Sequence, residues 1–133
     1  MQALDHVSIT VRELARARPF YEAVMRALGI AKVHDREDAV GFGTRNRPGD
    51  DAHSYFSLYE SPAASADPRR HYCFRARSMK EVQAFHAAGL ASGGRDAGAP
   101  GLRTHYHPQY YAAFLEDPEG NRIEAAFHHG ETP

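Results

Sequence analysis

His6-Val7-Ser8-Ile9-Thr10-Val11 alternates residue by residue, and His71-Tyr72-Cys73-Phe74-Arg75-Ala76 alternates in the same phase. His71 follows His6 by 65 residues, and Phe85 follows Phe20 by the same 65, so strand and helix anchors superpose without a gap. An ungapped internal offset over two anchors is the signature of a duplicated module. A period of two places His6, Ser8 and Thr10 on one face of a strand and Val7, Ile9 and Val11 on the other. In the second copy His71, Cys73 and Arg75 share the polar face. Antiparallel or mixed sheets covered by helices on one side need this pattern. The apolar face packs on a helix and the polar face looks into solvent or a cavity.

The intervening stretches support helices. Leu14, Ala17, Tyr21, Val24, Met25 and Leu28 fall on one helical stripe. Pro19 lacks an N–H and clashes in a helix interior, so this helix is expected to start near Arg16, with Pro19 in its first turn, and to stop at Gly29. In the second copy Ser78 and Glu81 have capping-box spacing. Met79, Val82, Phe85 and His86 line one face of that helix, with Gly89 near its end. Shorter strands follow each helix: Ala31 to Asp35, Ala39 to Gly43 and His53 to Tyr59 in the first copy, then Gly94 to Ala97, Tyr110 to Glu116 and Arg122 to Phe127. Arg45 to Asp51 and Gly98 to Pro108 read as loops, and His128 and His129 as part of an exposed polar tail. The expected fold class is α+β: two βαβββ modules forming a cupped mixed sheet with helices packed outside. One domain spans residues 1–133, with module 1 at 1–60, a linker rich in Ala, Ser and Pro at 61–70, module 2 at 71–128 and the tail at 129–133.

Composition narrows the function classes. A chain of 133 residues, 42% hydrophobic and 25% charged, suits one folded domain. Sixteen Lys and Arg against seventeen Asp and Glu leave no field that would favour nucleic acid or an anionic membrane. No stretch approaches the ~20 apolar residues of a membrane span. Met-Gln-Ala-Leu-Asp-His at the start has neither a basic nor an apolar leader region, and the single Cys73 permits no intrachain disulfide. A cytoplasmic, reducing setting is expected.

The last strand alternates again. Arg122, Glu124 and Ala126 share one face, Ile123, Ala125 and Phe127 the other. It follows Asp117-Pro118-Glu119-Gly120-Asn121, whose Asp, Pro and Gly are type I turn residues. Glu124 thus joins His6 and His71 as a ligand-type residue on the polar face of its strand.

These residues resemble the vicinal oxygen chelate superfamily, that of glyoxalase I, extradiol dioxygenases and the fosfomycin and bleomycin resistance proteins. The resemblance rests on Leu4-Asp5-His6-Val7-Ser8-Ile9-Thr10-Val11 with Phe20-Tyr21 and Leu28-Gly29, and on Asp117-Pro118-Glu119-Gly120-Asn121-Arg122-Ile123-Glu124. It covers nearly the whole chain. It implies one divalent metal ion held by His6, His71 and Glu124. In glyoxalase I a fourth ligand, a Glu, comes from the last strand of the first module. Here that position aligns with Ser57, or with Tyr59 if the loop is shifted, and Glu60 has the wrong parity unless a bulge intervenes. Two His and one carboxylate leave coordination positions open, and Fe, Mn, Ni and Zn all suit the set. A substrate with vicinal oxygens would chelate the ion, which acts as a Lewis acid toward an enediolate or oxyanion.

The implied activity is glyoxalase-like, of lyase or isomerase type. Alternatives are an extradiol-type dioxygenase, thiol transfer to an epoxide, and a non-catalytic drug-binding protein of the bleomycin-resistance kind. His107 and Tyr110, in His105-Tyr106-His107-Pro108-Gln109-Tyr110-Tyr111, are candidate acid, base or oxyanion donors. Arg75 and Arg122 share faces with His71 and Glu124 and are candidates for binding a substrate carboxylate or phosphate. The expected partners are a small-molecule substrate and a second copy of the chain.

Overall fold

A computed structural model describes residues 3–44, 47–49 and 54–128. Its elements run β1 (His6–Val11), α1 (Leu14–Ala27), β2 (Lys32–Arg36), β3 (Ala39–Thr44), β4 (Ser54–Glu60), β5 (His71–Arg75), α2 (Met79–Ala91), β6 (Arg95–Leu102), β7 (Tyr110–Glu116) and β8 (Arg122–His128). This is βαβββ twice. The strands form two four-stranded mixed sheets, β1-β4-β3-β2 and β5-β8-β7-β6. In each, the first strand of the module lies parallel to the last and the other pairs are antiparallel.

The two registers repeat each other. His6 lies opposite Tyr55 and Ser8 opposite Ser57, just as His71 lies opposite Arg122 and Cys73 opposite Glu124. Ser57 therefore stands in module 1 where Glu124 stands in module 2. Of the two positions, Ser57 and Tyr59, that the resemblance offers for a fourth ligand, the register thus makes Ser57 the equivalent of Glu124. The strand His53 to Tyr59 begins among residues outside the described set, as do parts of the Arg45 to Asp51 loop.

Alternation sorts side chains as the sequence implies. Ile9, Val11, Ile123 and Ala125 are buried, while His6, Ser8, Thr10, His71, Cys73 and Arg75 are exposed. The helical stripe from Leu14 to Leu28 is wholly buried, and Phe20 and Phe85 are both inaccessible. α1 packs on α2, and one apolar cluster joins both modules. His86 enters this core with its Nε2 hydrogen-bonded to Asp96 Oδ1 (2.9 Å), as a buried polar group requires. Met79, expected on the packed face, is 38% exposed at the first position of α2.

Three local expectations are corrected. α1 starts at Leu14, before Arg16, and Pro19 lies inside it. Pro19 and Ala15 are both on the exposed side, so the carbonyl that loses its partner can be solvated. The early start is possible because distant carboxylates bind the orphan N–H groups. Glu60 Oε2 accepts from Leu14 N (3.0 Å), and Glu119 accepts from Arg12 N (2.7 Å) and Glu13 N (2.8 Å). Glu60 is thus a helix cap. Secondly, the capping box is half formed. Ser78 Oγ accepts from Glu81 N (3.1 Å), but the Glu81 carboxylate accepts from Arg77 N (2.7 Å) and the Arg77 guanidinium. Thirdly, β6 extends to Leu102 through residues read as loop, with register shifts between Asp96 and Gly98 and between Gly98 and Gly101. Its glycines blur any alternation. Among the described residues, no helix is long and apolar enough to cross a membrane.

Candidate functional site

Glu124 is the centre of the polar face of module 2. It is only 2% exposed, although it projects from the face that carries exposed His71. A buried carboxylate needs partners, and β5 and β7 supply them. His71 Nε2 lies 3.2 Å from Glu124 Oε1, and the Tyr110 hydroxyl donates to Oε2 at 2.5 Å. Burial and this carboxylate push the Tyr110 phenol well above its ordinary value, so it is a held proton donor rather than a base. The Cys73 thiol, opposite Glu124 in the register, is pushed up to about 12, first by desolvation among the neighbouring strands and then by the Glu124 charge. It is a poor nucleophile at neutral pH. Alkylation of Cys73 in metal-free protein at pH 8 is expected to be about tenfold or more slower than that of free cysteine, the lost thiolate fraction outweighing the greater nucleophilicity of a high-pKa thiolate. Iodoacetamide kinetics followed by mass spectrometry check this, and Glu124→Ala should raise the rate.

The equivalent face of module 1 is built differently. His6 is exposed, and its Nδ1 hydrogen-bonds with Asp5 Oδ1 at 2.6 Å. A carboxylate on one ring nitrogen is a contact usual for metal-binding histidines. Ser57 is 1% exposed and its Oγ lies 2.8 Å from Ser8 Oγ. This hydroxyl pair stands at the module 1 position equivalent to Glu124. Gly41 lies opposite Ser57, and a Cβ there would sit 2.1 Å from the Tyr55 hydroxyl oxygen, so the absence of a side chain gives the Tyr55 ring its place.

His6 and His71 line one cavity of about 380 Å³ between the edge strands β1 and β5, with Tyr55, Phe56, Cys73 and Phe74. The chain therefore brings His71, Glu124 and Tyr110 together, and His6 shares with His71 a cavity that neither Glu124 nor Tyr110 lines. Among the described residues of one chain, no three His, Cys, Asp or Glu side chains converge closely enough to hold one ion.

Of the other candidates, His107 does not reach Glu124. Its Nδ1 accepts from Gln109 N (3.1 Å), so its Nε2 carries the proton shared with His128 Nδ1 at 2.9 Å. The two ring centroids are 5.1 Å apart and the ring planes 25° from parallel. His128 is thus the half-buried end of β8 and not a tail residue; His129 lies outside the described residues. Arg75 stays exposed and lines neither this cavity nor the hollow on the far side of His71. Arg122 lines that hollow together with Arg69 and Arg103. Sequence reading passed over these last two because one lies in the linker and the other in an apparent loop. The glycines Gly98 and Gly101 around Arg103 were the available signal of a close approach.

The family model for the glyoxalase/bleomycin resistance protein/dioxygenase superfamily matches residues 3–125. No curated protein matches the sequence significantly. Among solved structures, a glyoxalase/bleomycin resistance protein from Albidiferax ferrireducens T118 is 29% identical with a TM-score of 0.80, covering 95% of this chain and 99% of its own. A family enzyme from Burkholderia phytofirmans PsJN is 19% identical, with a TM-score of 0.67 and coverage of 93% and 97%. The genomically encoded fosfomycin resistance protein FosX from Listeria monocytogenes is 14% identical, with a TM-score of 0.67 and coverage of 98% and 97%. The last two likenesses show the fold alone. With its duplicated βαβββ modules and a model match over nearly its whole length, the chain belongs to the glyoxalase/bleomycin resistance protein/dioxygenase superfamily.

Proposed function

We propose that this protein is a glyoxalase-like, metal-dependent enzyme acting on a small molecule with vicinal oxygens, with His6, His71 and Glu124 as ligands of one divalent ion. The observation that carries the reading is the buried Glu124 carboxylate held between His71 and Tyr110 on the face that also carries the exposed His71, Cys73 and Arg75 of β5. Imidazole nitrogen and carboxylate oxygen fit Fe, Mn, Ni or Zn. When bound, the ion supplies a Lewis acid that polarises two neighbouring substrate oxygens. Tyr110 keeps its proton and orients the Glu124 carboxylate through its hydrogen bond. Ser57, bonded to Ser8, leaves the set at two His and one carboxylate. That is also the set of iron(II) oxygenases, and it makes dioxygenase chemistry the second reading.

Two copies of the chain complete the site in this reading. His6 is not grouped with His71 and Glu124 within one chain, and the polar faces of the first strands of both modules, β1 and β5, are exposed. Module 1 of one copy against module 2 of the other supplies the trio in a homodimer, within a cytoplasmic setting that suits a free thiol.

Metal analysis of untagged protein is the test. The parent is expected to carry about one ion per chain, and His6→Ala, His71→Ala and Glu124→Ala to lose it. Mixed His6→Ala and Glu124→Ala chains should recover about a quarter of the parent's metal on random pairing, because one of the two sites in each heterodimer is intact. A parent that holds no metal even after reconstitution overturns the ligand assignment and leaves the drug-binding reading. Turnover on α-keto aldehyde thiol adducts, catechols or epoxides then separates the reactions.

A further inference from the structure

A hollow of about 480 Å³ lies on module 2 on the other side of His71, and its lining includes Arg69, Arg103, Arg122, Tyr106 and Phe114. Three guanidinium groups from the linker, the stretch after β6 and strand β8 converge there, and no Asp or Glu contributes to the lining. Among the described residues none of the three forms an ion pair. Glu116, the cross-strand partner of Arg122, is taken by Arg95 at 2.8 Å instead. Like charges gathered without counter-charge repel, so an anion bound among them relieves a cost that the free protein bears.

Arg103 and Arg122 are also held in place. Arg103 donates from Nη1 to Gly101 O (2.9 Å) and from Nη2 to Ala99 O (2.7 Å). Its Cζ lies 5.6 Å from the Phe114 ring centroid, and that of Arg122 lies 5.5 Å from the same centroid. Space for Arg103 comes from two glycines. A Cβ at Gly98 would sit 3.1 Å from Nη2, and one at Gly101 3.3 Å from Nη1. Arg122 lies directly opposite His71 in the β5–β8 register, and His71 borders both the hollow and the β1–β5 cavity.

We propose that this hollow binds the oxyanion group of an organic-acid substrate, a carboxylate or a phosphate-type group, through Arg69, Arg103 and Arg122. Guanidinium forks match both oxyanions by paired hydrogen bonds. Held there, the rest of the molecule extends past His71 toward Glu124. The hollow's role as a substrate site rests on the function proposed above, but its affinity for anions does not, and the experiment keeps the two apart.

Inorganic phosphate and benzoate are titrated calorimetrically into the full-length chain at low salt. At least one is expected to bind saturably, one per chain, and which one does so distinguishes a tetrahedral from a planar group. Arg103→Gln and Arg122→Gln should each weaken that binding about tenfold or more, with unchanged metal content and unfolding midpoint. Glu124→Ala should do the reverse, losing metal and keeping the anion. If Arg103→Gln unfolds, the exposed Arg69→Gln and Arg122→Gln carry the test. Absence of saturable binding of both anions, or binding that ignores all three arginines, overturns the proposal.

Discussion

Replacing Asp117 by Ala is expected to destabilise the protein by about 3–5 kcal/mol. Asp117 is 1% exposed, and its side chain accepts four hydrogen bonds. Oδ1 takes Glu119 N (2.8 Å) and Asn121 N (2.9 Å), which closes the turn between β7 and β8. Oδ2 takes Asn121 Nδ2 (2.9 Å) and the Tyr21 hydroxyl (2.6 Å), which reaches from α1 in the other module. Burial first, and then this carboxylate, raise the Tyr21 phenol well above its ordinary value, so it remains the donor. Removing the acceptor strands a wholly buried hydroxyl and opens the turn that presents both Glu119 to the start of α1 and Glu124 to the site. Urea denaturation measures the loss. Tyr21→Phe should cost less, because the carboxylate keeps its other three donors. The double variant should fall short of the sum of the singles, since both report the same bond. A loss under about 1 kcal/mol for Asp117→Ala would contradict this role.

Phe20→Ala is expected to cost a similar 3–5 kcal/mol, out of a total that for a domain of this size is about 5–15 kcal/mol. Phe20 is inaccessible to solvent and meets Tyr21 edge-on at 5.1 Å. Its ring edge fills a notch in module 2 made by two glycines. A Cβ at Gly94 would lie 2.4 Å from Phe20 Cε2, and one at Gly89 3.1 Å from it. The backbone around the notch cannot collapse freely, because Glu116 O and Gly89 O would each lie 2.9 Å from that Gly94 Cβ. The cavity therefore stays largely open, which places the cost toward the upper end of the range. Thermal unfolding is expected to show a midpoint lower by about 10–20 °C. A shift of only a few degrees would mean that the modules repack around the void.

Both residues were visible in the sequence, Phe20 as an anchor of the ungapped offset and Asp117 as the first residue of a turn. What made them legible is local. Strand alternation, helical spacing and turn chemistry are set by neighbours along the chain, so the eight strands, the two helices and the orientation of Glu124 follow from short windows. The equivalence of His6 and His71 follows likewise, because duplication preserves register. Local rules also misled where distant residues intervened. Pro19 argued for a late start to α1, but Glu60 at the end of β4 binds Leu14 N, and Glu119 in the turn between β7 and β8 binds the Arg12 and Glu13 N–H groups that lead into it. His128 looked like tail until β8 carried it to His107.

The sequence by itself determined which residues of this protein face the same way: His6, His71 and Glu124 on polar strand faces, the Leu14 to Leu28 stripe in the core. Only the tertiary structure decided which of them meet. Glu124 joins His71 and Tyr110 because β5, β8 and β7 are neighbours, while His6 stands across the cavity on a separate sheet. Arg69, Arg103 and Arg122 share no window and no periodicity, yet they line one hollow. The physical reason is that periodicity encodes direction relative to a strand or helix axis. Distance between remote residues is set by how sheets and helices pack, and that depends on the whole chain at once.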